Sequence, residues 1–233
     1  MCTRFLLLRP GNEVAALLGL DAFPASSPRF NAAPGQSLPL VRRGRQPARK
    51  REAAALRWGL VPAWSPTPAT PTLLINARAE SAAARPAFRD ALRHRRCVVP
   101  ADGFYEWKRT ARGPMPWLFE HSAGDLLLLA GIWERWAGPD AEPLESFAVL
   151  TTAPNSLVAP LHDRMPALIP ADSLDEWLDA ATPPTRLAQL LAPCPEAWLR
   201  TRAVNPRLNN VANDDAACLE APPPARQLDL GIG

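Results

Sequence analysis

Residues 97–108, CVVPADGFYEWK, decide the fold. They hold two short β-like runs on either side of a turn, built from the β-branched and aromatic residues that strands favour. Working downstream, WLFEHS, DLLLLAGIWERW and SFAVLTTAP read as further strands. Upstream, RPAFRDALRHRR reads as a basic helix, LLINARAES as a strand running into a turn, and FNAAPGQSLPLVRRG as loop then strand. Residues 3–8 (TRFLLL) read as a strand and VAALLGL as a short helix. Near residue 172 the pattern changes to helices: ADSLDEWLDA offers Asp172 or Ser173 as an N-cap, and PPTRLAQLLA places Pro near a helix start. Many short strands, few helices and no regular βαβ alternation define the α+β class. The 28 prolines imply long ordered loops, WSPTPATPT among them.

The chain of 233 residues is long enough for one large domain or two small ones. Residues 1–222 are read as a single domain and 223–233 as a loose tail. Net charge is +3, and of the 26 basic residues only Lys50 and Lys108 are lysines. Arginine suits phosphate contacts, and few side-chain amines could compete with the N-terminus for a carbonyl. Residues 42–51 carry six cations, read as a solvated hairpin loop. Cys2, Cys97, Cys194 and Cys218 lie far apart, without a C-x-x-C pair or a histidine cluster. Neither a zinc site nor a disulfide framework is expected, and no cofactor. The run FLLL is too short for a signal-peptide core and no stretch approaches a membrane span. The expectation is a cytoplasmic protein, nucleoid-associated on damaged DNA, and a monomer.

Of three histidines, His94 reads as surface and His121 as a turn residue, whereas His162 sits in the crowded PLHDRMP. In an extended INARAE, Asn76, Arg78 and Glu80 share one face; in ADGFYEWK, Asp102, Phe104 and Glu106 share another. A carboxylate between Tyr105 and Trp107 is open to desolvation, which raises its pKa and lets it hold a proton near neutrality. A strand-end glutamate in water is the competing reading. Trp58 and Trp64 bracket GLVPA near basic residues, an arrangement compatible with base stacking; Trp133 and Trp177 are assigned to the core.

These stretches join in one resemblance. MC-x-RF, FNAAPGQ, RWGLVPAW, INARAE, RRCVVPADGFYEWK, AGIWE, LTTAPN and HDRMPALI follow the order found in SRAP (SOS-response-associated peptidase) proteins, from residue 1 to about residue 210. The resemblance implies a curved, largely antiparallel, barrel-like sheet flanked by helices and Pro-rich loops. It implies that Met1 is removed to expose Cys2, and that single-stranded DNA containing an abasic site is the partner. The opened sugar's aldehyde would be captured as a thiazolidine by the Cys2 amine and thiol. By the same resemblance Glu106 and His162 are acid–base residues, and Asn76 holds Cys2 and the sugar. Arg4, Arg78 and Arg164 are DNA contacts, and Trp58 and Trp107 line the DNA path. Thr3 departs from the family's usual glycine, which puts the backbone behind Cys2 in question. Two other classes remain open: an N-terminal-nucleophile peptidase or amidohydrolase, and a non-catalytic single-stranded DNA-binding module.

Overall fold

The computed structural model describes residues 2–24, 27–44, 50–69, 72–111, 113–138 and 142–224. The middle of the cation run (45–49), residues 70–71 of the Pro/Thr loop and most of the tail (225–233) lie outside the described residues.

In chain order the strands and helices are β1 (Phe5–Leu7), α1 (Gly11–Leu18), β2 (Arg29–Ala32), β3 (Ser37–Arg43), β4 (Arg51–Trp58), β5 (Asn76–Arg78), α2 (Ala79–Ala82), α3 (Arg89–His94), β6 (Arg96–Ala101), β7 (Gly103–Thr110), β8 (Gly113–His121), β9 (Leu127–Trp136), β10 (Leu144–Thr152), β11 (Met165–Pro166), α4 (Leu174–Leu178), α5 (Pro184–Leu190) and β12 (Leu199–Ala203). The α+β expectation holds. Strands β3, β6, β9 and β10 pair antiparallel in succession, β3 pairs β4 antiparallel, and β4 pairs β10 in parallel. This closes a ring of five strands. A ring with an odd strand count cannot alternate direction throughout, so one parallel pair is required, and β4–β10 is that pair. A second, wholly antiparallel sheet runs β12-β8-β7-β1-β2. Closure removes the edges that an open sheet would expose.

The apolar run of β9 follows from burial on both faces. Leu128, Ala130 and Ile132 pack with the helices, including Trp177 of α4, while Leu127 and Leu129 pack in a second cluster with Phe5, Phe104 and Phe119 of the other sheet. That second cluster also contains Cys2. The stretch 97–108 bridges both sheets, with β6 in the barrel and β7 in the second sheet. Asp102 holds the corner between them: its carboxylate accepts from the Leu8 and Arg9 backbone N–H at 2.6 and 3.1 Å and pairs with the Arg9 guanidinium at 2.7 Å. It is a structural latch.

Gly103 starts β7 where no side chain fits. A Cβ there would lie 2.6 Å from the Phe119 carbonyl oxygen and 2.9 Å from methyl carbons of Leu118 and Leu6. Gly103→Ala is expected to cost about 1–3 kcal/mol or more through overpacking, read as a lowered urea midpoint with an unchanged slope.

Two local expectations are corrected, and a third holds in position only. The cation run is not wholly a solvated loop: Arg42 is buried, ion-paired with Glu52 and Glu145 at 2.8 and 3.0 Å, and its guanidinium lies 4.3 Å from the Trp133 ring centre. Ser173 does stand at the N-cap position of α4, but its side chain makes no capping bond: its Oγ donates to Asp172 Oδ1 at 3.0 Å. The INARAE stretch is extended only through Arg78. β5 is held by β10 over Val149–Thr151 alone, and the chain turns helical at Ala79, so Glu80 leaves the shared face.

Candidate active site at the chain start

Cys2 is fully buried just ahead of β1, in the core shared by both sheets. Its carbonyl accepts from Asn76 Nδ2 at 2.8 Å, which ties the chain start to β5. Asn76 Oδ1 is buried with no hydrogen-bond partner among the described residues, an unmet acceptor at this point. Thr3 needs no glycine-only conformation, since no described non-glycine residue has a positive φ. Its carbonyl accepts from Arg4 Nη1 at 3.1 Å.

Glu106 reaches the same point from β7. Register places it opposite Trp117, and it is 2% exposed. Burial pushes its carboxyl up to about 7, against the pull of the positive chain start. The desolvation anticipated for a carboxylate between Tyr105 and Trp107 is therefore present. Burial also raises the Cys2 thiol well above its ordinary value, and the Glu106 charge raises it further. His162 comes from the loop before β11 and is partly exposed. Burial, then the positive chain start, hold its imidazole below the ordinary value. Its Nδ1 accepts from the Arg164 backbone N–H at 3.0 Å, which leaves Nε2 to carry the proton of the neutral ring. The same Nδ1 lies 2.9 Å from Asp163 Oδ1, a contact that favours a proton on Nδ1 and so competes with the Arg164 N–H in setting the tautomer.

The Glu106 charge acts on the Cys2 thiol, and the charge of Asp163, next to His162, acts on Glu106. With the Asn76 hydrogen bond, the structure gathers the four residues from β5, β7, the loop before β11 and the chain start. Such a cluster offers a nucleophile, a carboxyl poised to give or take a proton near neutrality, and a neutral imidazole.

The DNA-contact residues divide. Arg4 lies 6.0 Å from the Trp107 ring centre, and Trp107 is held by an Nε1–H hydrogen bond to Asn209 Oδ1 at 2.7 Å. Arg78 is exposed at the end of β5. It shares a polar cavity of about 480 Å³ with Glu80, Ser81, Arg85, Asp163 and Arg164. Arg85 was not singled out from sequence; its place after α2 depends on a turn at 83–88 that the basic composition alone does not reveal. Arg164 spends its guanidinium on Glu80 and the Thr151 carbonyl. Trp58 is corrected: it is 0% exposed, donates to the Ile75 carbonyl at 2.9 Å and packs against Phe5 and Phe147. A ring so enclosed has no free face for a base, and its role here is to wall the core beneath Cys2. Trp64, by contrast, is 67% exposed.

Among the described residues no group of three or more His, Cys, Asp or Glu could hold a metal ion, and no helix is long and apolar enough to cross a membrane.

Fold and site together define a barrel protein that brings a buried Cys2 and a buried Glu106 together with Asn76 and a partly exposed His162. The chain belongs to the SRAP family: the profile described as SOS response associated peptidase (SRAP) matches residues 1–211. It is 33% identical over 227 residues to the abasic site processing protein YoqW of Bacillus subtilis, covering 95% of this chain and all of that one. It is 31% identical to the abasic site processing protein HMCES of Gallus gallus, covering 82% of this chain and 66% of that one. Among solved structures, a Bacteroides thetaiotaomicron protein superposes with a TM-score of 0.82 at 22% identity over 94% of this chain and 99% of the other, which shows the shared fold. A Bordetella bronchiseptica protein gives 0.75 at 27% identity, over 88% and 100%.

Proposed function

We propose that this protein processes abasic sites in DNA, capturing the lesion in single-stranded DNA as a covalent adduct of Cys2 once Met1 is removed. Relatives named as abasic site processing proteins along their whole length support the substrate class. The observation that carries the chemistry is the buried Glu106 carboxyl, pushed up to about 7, whose charge acts on a Cys2 that Asn76 ties to β5.

An α-amine has a pKa of roughly 7.7–8.0, so a usable fraction is neutral and nucleophilic at physiological pH. It adds to the aldehyde of the opened sugar to give a carbinolamine. Glu106, half protonated near neutrality, donates a proton to the departing hydroxyl, and water leaves as the imine forms. The thiol then adds to the imine carbon: a C–S bond forms, the thiol proton passes to nitrogen, and a five-membered thiazolidine closes. Both nucleophiles sit on one residue, so closure is intramolecular. Asn76 holds Cys2 by its carbonyl while this happens. His162, neutral and accepting at Nδ1, offers Nε2–H to the sugar oxygens.

A peptidase reading fits the thiol less well. Cysteine peptidases need a lowered thiol pKa, and here burial and a neighbouring carboxyl raise it.

The test is a denaturing gel. Incubated with single-stranded DNA bearing an abasic site, the protein is expected to give a heat-stable shifted band, absent with undamaged DNA. Initial formation should slow as ionic strength rises, because arginine–phosphate contacts are screened. No band, with intact mass showing Met1 removed, would overturn the proposal.

A further inference from the structure

Two of the residues assigned to chemistry stand on opposite flanks of one strand. Over its last residues β10 pairs with β5 on one side, Thr151 opposite Arg78, and with β11 on the other, Thr151 opposite Pro166. Asn76 belongs to β5, and His162 lies in the loop that enters β11. Strands β5 and β11 are three and two residues long. Such short strands have little ladder of their own to fix their ends.

A side chain spans that gap. The Arg164 guanidinium crosses the end of β10, donates to the Thr151 carbonyl, and forms a two-pronged pair with Glu80 at 2.9 and 2.8 Å. Glu80 lies in α2, directly behind β5. The Arg164 side chain is 12% exposed and that of Glu80 55%. A bidentate guanidinium–carboxylate pair fixes orientation as well as distance. The backbone N–H of the same Arg164 donates to His162 Nδ1 at 3.0 Å. One residue therefore anchors the loop to α2 with its side chain and orients the imidazole with its main chain.

We propose that Glu80 is a positioning residue: through Arg164 it clasps the His162 loop to the Asn76 strand across the end of β10, and so holds the Arg164 N–H on His162 Nδ1 against Asp163 Oδ1, which lies 2.9 Å from the same nitrogen. This rests on the abasic-site reading for its consequence, though not for its structural content. Glu80 touches no reacting atom. Its negative charge beside a DNA path has a cost in phosphate attraction, and the clasp gives that charge a purpose. Arg164 then acts less as a free phosphate contact than as the bar of the clasp.

Charge and positioning predict opposite signs for one variant. If Glu80 only repels DNA, Glu80→Gln strengthens binding and speeds crosslinking, whereas Arg164→Gln weakens it. If the clasp positions His162, both variants slow crosslinking at saturating DNA by about tenfold, and the double variant is no slower than either. Non-additivity of this kind marks one shared function. Glu80 is exposed enough that Glu80→Gln leaves folding intact, so it carries the test alone should Arg164→Gln unfold. A second readout needs no DNA: in protein carrying ¹⁵N-labelled histidine, at a pH where His162 is neutral, its two ring nitrogens should give well-separated acceptor and N–H signals. Glu80→Gln should draw them together as the tautomers mix. A rate unchanged or raised in Glu80→Gln, or ring signals that do not move, overturns the proposal. If the wild type forms no adduct, the abasic-site reading fails while the ring signals still decide whether the clasp orients His162.

Discussion

Cys2→Ala is expected to abolish the heat-stable adduct with abasic-site DNA, a loss of at least about a hundredfold given the effective molarity that ring closure supplies. The variant keeps an α-amine on residue 2, and alanine is small enough for Met1 removal. It should still form the imine, so borohydride reduction during the reaction should trap a band that is absent without reductant. The wild type should give its band either way. This contrast separates the two nucleophiles of one residue: the amine makes the first bond, the thiol makes the adduct survive heat. Truncation of a fully buried thiol costs some stability, so melting curves must show the variant folded at the assay temperature. A heat-stable band of wild-type intensity from Cys2→Ala would falsify the thiazolidine route. Loss of the trapped band as well would place the amine's reactivity, not the thiol's closure, under the control of the substituted side chain.

The sequence made most of the fold legible because both sheets are built from stretches with strong strand composition. CVVPADGFYEWK, DLLLLAGIWERW and SFAVLTTAP all became strands where the residues placed them. Barrel closure was not readable from alternation, because it depends on one parallel pair, β4–β10, between residues about ninety positions apart. The Glu106 environment was legible in kind, since flanking aromatics on a strand predict desolvation. Its partner across the site, Cys2, was joined to it only through resemblance. Trp58 was misplaced because aromatic residues near arginines look alike whether they face solvent or core. Only the closed packing on Phe5 and Phe147 tells them apart. Glu80 misled for a different reason: alternation carried on to Glu80 runs two residues past Arg78, but the strand stops where its partner stops. The clasp with Arg164 spans 84 residues, and no local pattern encodes such a pairing.

Glu106→Gln is expected to slow adduct formation by about 10²–10⁴-fold, the usual contribution of a positioned acid–base group, and to change stability in the opposite direction. Both effects come from one shifted titration. Burial pushes the carboxyl up to about 7, from an ordinary value of 4.5. Between those values the folded protein holds a proton that the unfolded chain has released, so stability must fall as pH rises through this window. The full loss is about 3 kcal/mol for such a shift, complete above about pH 8. Glutamine fills the same space and does not titrate. Relative to wild type, Glu106→Gln should therefore gain unfolding free energy between pH 4.5 and pH 8, most of it before neutrality is passed, as read from urea midpoints across that range. The rate should behave in the complementary way. Wild-type crosslinking at saturating DNA should carry an inflection near pH 7 that Glu106→Gln lacks, while the inflection from the α-amine near 8 remains in both. Stability curves that run parallel with pH would show that Glu106 titrates as an ordinary surface carboxylate. A variant that loses the inflection but keeps the rate would show that Glu106 senses the site without moving a proton in it.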